Sequence, residues 1–176
     1  MKKFLAVLLV LVLACSVATS FAEETTASES KFETVLLKEG SLFLKEWVDY
    51  CKIDLSDTYT HIMFQTARVV DIETGKEYHA LRMDYGYGKV IGVMDADEID
   101  GAIKTLEYVK NHIYELKDYS EVVYTAAGGV EVGGYHKGKE NVVFIRFNSK
   151  VPYTFDAKFV DELINAFKGV KASFAQ

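Results

Sequence analysis

The chain has 176 residues, 20 of them basic and 26 acidic, a net charge of −6 with histidines neutral, and a single proline. A chain this acidic lacks the basic face that neutralising a phosphate backbone requires, so nucleic acid is not an expected partner. Its length is that of one domain with room for a sizeable core.

The opening, "MKKFLAVLLVLVLACSVATSFAEE", places two lysines before an apolar run from Phe4 to Ala14, followed by a stretch of small residues that ends in Ser20-Phe21-Ala22, with Ser20 and Ala22 small. This predicts a secretory signal peptide over residues 1–22, since the run is too short for the roughly twenty residues a membrane-spanning helix needs. "VLAC" offers an alternative, a lipobox in which Cys15 is acylated and becomes the first residue. Removing residues 1–22 takes away Lys2 and Lys3, leaving 18 basic against 26 acidic residues, a net of −8. Cys51 is then the sole cysteine, read as a small buried hydrophobe on a strand because no neighbouring motif supplies an activating base.

Residues 23–31, "EETTASESK", are polar and aperiodic and read as a disordered leader to a single domain over 32–176. "FETVLLK" and "SLFLKEWVDYCKI" read as strands about the turn Glu39-Gly40. "THIMFQTARVVDI" and "KEYHALRMDY" form a hairpin about Glu73-Thr74-Gly75, followed by the short strand "KVIGVM". Asp95 then opens a helix as its N-cap, with Glu98 reaching back as in a capping box. Ile99, Ala102, Ile103, Leu106, Val109 and Ile113 make its apolar face. In the second half "SEVVYTA", "GVEVGGYH", "NVVFIRF" and "VPYTF" read as strands, and Asp156 opens a helix whose apolar face includes Leu163, Ile164 and Phe167.

"KVIGVMDADEIDGAIKTLEYVK" and, 61 positions on, "KVPYTFDAKFVDELINAFKGVK" coincide at eight of twenty-two positions, on the last strand, the cap and the buried stripe. The spacing predicts an α+β fold of two ββββα repeats, about 41–113 and 120–171, with antiparallel sheets supporting two helices. That order over residues 41–171 resembles the whirly and PUR-type single-strand-binding fold, which would imply nucleic-acid binding through basic, aromatic strands; the acidic charge argues against carrying this function over. "VLLKEGSLFLKEW", "DADEIDGAIKTLEYV" and "SEVVYTAAGGVEVGGYH" resemble segments of a family of small exported proteins of uncharacterised function in bacteria of the Bacteroidetes type. That resemblance implies export and assigns no chemistry.

No catalytic motif is found. His61, His79, His112 and His136 show no metal-ligand spacing, and counting from the hairpin turn puts His61 and His79 several residues out of register. "DADE" lacks the alternation, central glycine and terminal glutamate of a calcium loop. "YGYGKV" does not open a helix, so it is no phosphate loop. No metal or cofactor is expected. Tyr85 and Tyr87 about Gly86, and Tyr135 after the strand glycines Gly133-Gly134, are the candidate binding residues, an aromatic patch weighed against ordinary strand propensity. The expected function is an exported, non-enzymatic binding or assembly module for an unknown envelope or extracellular component. A hydrolase of the envelope is the alternative, and a single-stranded nucleic-acid binder a more distant one.

Overall fold

A computed structural model describes residues 29–54, 61–86, 88, 90–148 and 153–175. The expected signal peptide, Cys15, most of the leader and Tyr87 lie outside the described residues.

The order is α1 (Lys31–Leu36), β1 (Phe43–Asp54), β2 (His61–Asp71), β3 (Glu77–Tyr85), β4 (Val90–Asp95), α2 (Ile99–His112), β5 (Ser120–Thr125), β6 (Val130–Lys137), β7 (Glu140–Phe147), β8 (Tyr153–Asp156) and α3 (Val160–Ser173). The strands form two antiparallel four-stranded meanders, β1-β2-β3-β4 and β5-β6-β7-β8, each followed by a helix. The two ββββα units expected from the sequence are therefore present. The 61-residue offset carries α2 onto α3 residue for residue, but it does not superpose the first two strands, which are longer in the first unit.

Two local readings are corrected. "FETVLLK" is not a strand: Lys31–Leu36 is a short helix capped by Ser30, whose hydroxyl accepts from the Glu33 N–H at 3.2 Å. Ser30 is buried, so the last residues of the expected leader belong to the folded domain. The carboxylate of Asp95 does not cap α2, where Glu98 holds the N-cap position and its own side chain accepts no bond from the first turn of the helix. Strand alternation turns Asp95, opposite Ala80, toward α1, and there it accepts from Ser30 Oγ and the Lys31 N–H, both at 2.7 Å, and from the Phe32 N–H at 3.1 Å. The other half of the capping box does form, since Glu98 Oε2 accepts from the Asp95 N–H at 3.1 Å. Asp156 behaves as expected and accepts from the Lys158 N–H at 3.0 Å in the 3₁₀ turn that opens α3.

Each helix packs mainly on the sheet of the other unit. α2 lies on β5 and β6, while α3 lies on β1 and β2. Phe64 of β2 meets Phe167 of α3 edge to face at 5.4 Å, and Gly134 of β6 leaves the space that Val109 of α2 fills. The strand glycines thus mark a close approach and no bulge, for β6 runs in unbroken register with β5 and β7. One core results, running through Phe64, Met94, Leu106, Val132, Phe155 and Phe167; a second small cluster, with Phe32, Ala67 and Val93, lies under α1 on the opposite face of the first sheet.

α2 and α3 lie antiparallel, and their ion pairs are reciprocal. Asp100 pairs with Lys171 at 2.6 Å and Lys110 with Asp161 at 2.5 Å; adding 61 to Asp100 and Lys110 gives Asp161 and Lys171. Glu107 pairs with Lys168, its own counterpart 61 residues on, at 2.6 Å. This is the contact pattern of a two-fold axis, with Glu107 and Lys168 upon it.

Candidate functional site

Tyr85 and Tyr135 do not share a patch. Tyr85 stands at the end of β3 on the core side of the first sheet, its ring 4.0 Å from that of Tyr153, and burial raises the Tyr153 hydroxyl pKa. Tyr135 is on the outer face of the second sheet, 6.2 Å from the ring of Phe144. Gly133, beside it, leaves no room for a side chain against the β5 backbone. Tyr87 lies outside the described residues.

The histidines are likewise dispersed. Residues opposite across the β2–β3 hairpin sum to 147, which sets His79 against Arg68; His61 lies opposite Asp54 on β1. Gly75 supplies the expected positive φ in that hairpin, at 69°. His112 pairs with Glu115 and His136 with Asn141, each on its own unit. Among the described residues no three His, Cys, Asp or Glu side chains converge as a metal site would require. Cys51 is half-buried beside α3, and its thiol pKa is pushed up by burial and by Glu162.

The two largest depressions among those lined by described residues carry polar groups. A groove of about 410 Å³ on the first sheet is lined by Glu46, Arg68, Glu77, His79 and Phe174. Its charges are paired with one another: Arg68 bonds Glu77 at 2.6 Å and Glu46 at 2.7 Å, which raises the arginine's pKa and holds the Glu77 carboxyl below the usual range. Ser173, at its rim, gives its hydroxyl proton to the Val170 carbonyl, so it makes no nucleophile–base pair. A second cleft, about 600 Å³, lies between α1 and the β5–β6 turn, with Leu36, Leu37, Gly128, Asn148 and Glu33 in its lining. Burial, reinforced by Asp95, pushes the Glu33 carboxyl pKa up.

The feature that stands apart is β1. It is an outer strand of its sheet, twelve residues long, and most of it is exposed. Large apolar side chains on it are exposed to solvent: Trp47 is 45 % exposed, Leu44 and Val48 are exposed, and Tyr50 is exposed although its hydroxyl end lies against Gly169 of α3. Trp47 lies opposite the small Ala67, which leaves its ring uncovered. On the same face the Asp49 carboxylate accepts from Gln65 Nε2 at 2.6 Å, and Gln65 in turn accepts from Arg82, which also bonds Asp84 at 3.1 Å. This fixes the polar half of the surface across β1, β2 and β3. Proteins normally blunt such an edge with bulges, inward-pointing charges or a covering segment. The bulge at Tyr50 falls two-thirds of the way along β1 and leaves residues 43–49 in regular register. The sequence pattern puts Trp47 on a strand but gives no sign that this strand is an edge; the crowding of apolar residues in "LFLKEWVDY" is the available signal.

Comparison of the chain with protein-family models, with curated proteins and with solved structures finds no match. No helix among the described residues is long and apolar enough to cross a membrane.

Proposed function

We propose that the protein is an exported, non-enzymatic assembly module whose β1 edge receives an extended strand from a component of the envelope or the extracellular space. Export rests on residues 1–22, with Lys2-Lys3, the short apolar run and Ser20-Phe21-Ala22 in the order a signal peptide has. The two units are taken as descendants of one ββββα ancestor that paired with itself; the reciprocal Asp100–Lys171 and Lys110–Asp161 bridges support that descent.

One observation carries the binding reading, namely a twelve-residue outer strand on which Leu44, Trp47 and Val48 are exposed and Tyr50 partly so. A strand added there gains main-chain hydrogen bonds for affinity, while alternate side chains supply specificity. Trp47 is the single tryptophan of the chain, so its emission reports directly on the edge. Addition of an envelope fraction is expected to blue-shift that emission and to protect the amides of Lys45, Trp47 and Asp49 from hydrogen exchange. The variant Lys45→Pro, which removes a donor from the edge, is expected to lose both responses. Where the β1 amides of the protein alone exchange freely, unchanged emission and exchange on addition, or full retention of both responses by the proline variant, would reject the edge as the binding surface.

A further inference from the structure

The proposal of a strand-receiving edge leaves its occupant open, and the pattern of β1 itself selects one. The Ile72 N–H donates to the Leu42 carbonyl at 3.0 Å, and the Thr66 hydroxyl reaches the Val48 carbonyl at 3.5 Å, so the main-chain groups of even-numbered residues up to the bulge face β2. In a strand successive residues alternate. The N–H and C=O groups of Lys45, Trp47 and Asp49 therefore face outward, where no strand of this chain lies among the described residues.

A second antiparallel strand can bond only to these odd-numbered residues. If that strand is β1 of another copy related by a two-fold axis, hydrogen bonding restricts the axis to a residue position. Each choice has a different charge outcome. An axis at Lys45, Glu46 or Asp49 sets a charge against itself. An axis at Val48 places Trp47 against Asp49 and Lys45 against Cys51. An axis at Trp47 places Lys45 of each copy opposite Asp49 of the other, Trp47 on Trp47, and the exposed Leu44 toward Tyr50. Lys45, Trp47 and Asp49 share one face of the sheet, so the two charge pairs flank the tryptophans on a single surface.

We infer that the occupant of the β1 edge is a second copy of this chain, paired antiparallel over residues 44–50 about a two-fold axis at Trp47. The first sheets of two copies then join into one eight-stranded sheet, which removes the edge. This rests on the assembly reading above and adds to it the partner and the register.

The test uses the full mature chain and charge reversal. Sedimentation of wild type is expected to show a monomer–dimer equilibrium, with Trp47 emission shifting as concentration rises. Lys45→Glu leaves two carboxylates facing each other in both flanking pairs, and Asp49→Lys leaves two ammonium groups there, so each variant alone is expected to dimerise at least tenfold more weakly. An equimolar mixture of the two variants restores one pair of opposite charges on each side of mismatched copies and is expected to recover dimers, as is the double variant Lys45→Glu/Asp49→Lys. Recovery on mixing also excludes misfolding as the cause of the loss. A wild-type monomer at every accessible concentration, or dimers that ignore the single reversals, would overturn the inference. In the first case, β1 protection on adding the envelope fraction would leave the edge reading standing with a different partner; its absence would remove both.

Discussion

Asp95 is 3 % exposed and accepts three hydrogen bonds from the start of α1, from Ser30 Oγ, Lys31 N–H and Phe32 N–H. A helix of six residues is far too short to hold itself, so its order comes from this carboxylate and from burying Phe32. Bonds to a charged acceptor are the stronger kind, and their loss leaves the Ser30 hydroxyl buried without its acceptor. Asp95→Ala is expected to cost about 2 kcal/mol and to speed amide exchange over Lys31–Leu36 while the sheets stay protected; unchanged exchange there would show that Phe32 alone holds the helix. Glu33 has the opposite standing. Its pKa is raised by burial first and by the Asp95 charge second, so the folded state disfavours the ionised form. The penalty is present at neutral pH and fades as pH falls below the raised pKa toward the ordinary glutamate value of about 4.3. Glu33→Gln is therefore expected to raise Tm at pH 7 and to leave it unchanged near pH 3, measured by thermal melts at both.

At the level of elements, close packing between units falls on small residues. A Cβ at Gly92 of β4 would overlap the ring of Phe147 and the side chain of Val130, both fully buried and unable to retreat. A Cβ at Gly169 of α3 would overlap the hydroxyl end of Tyr50, whose side chain is exposed and free to swing away. Gly92→Ala is thus expected to destabilise by about 2–3 kcal/mol, within the range for an overpacked core, and Gly169→Ala by clearly less, since alanine also favours the helix. Equal losses in chemical denaturation would mean that Phe147 can repack. The contrast marks what a chain reading delivers. Apolar stripes, the Gly75 turn and the hairpin register are legible because each is set by neighbours in sequence. α1 escapes that reading because "FETVLLK" is too short for the helical spacing of Phe32, Val35 and Leu36 to stand out from a general richness in apolar and β-branched residues, and its cap acceptor, Asp95, lies more than sixty residues away. The same distance hides the true partner of Asp95. Periodicity tells which side of each helix is apolar but not which sheet covers it, and the exposed state of β1 depends on which strand has no second neighbour.

For the whole molecule, the exchange of helices makes each half dependent on the other. A half consisting of residues 29–116 has a sheet whose covering helix, α3, is missing, and α2 has no sheet to cover; the half from 117 onward has the converse defect. Each half alone is expected to lack a cooperative melt, and an equimolar mixture is expected to regain the near-ultraviolet spectrum of the intact chain. Self-pairing of either half would keep the bridges between positions equivalent to Asp100 and Lys110 but would set Glu107 against Glu107, or Lys168 against Lys168. The mixture alone sets Glu107 against Lys168, so the axis residues favour the unlike pair. Lys171 holds the Asp100 carboxyl below the usual range, and its bridge therefore survives mild acid and is lost only as pH falls through that lowered pKa, below about 3.9. Glu107→Lys in the first half is expected to slow and weaken reassembly at neutral pH, and Lys168→Glu in the second half to restore it. A cooperative melt for either half in isolation would mean that each unit covers its own core, and the dependence between them would have to be abandoned.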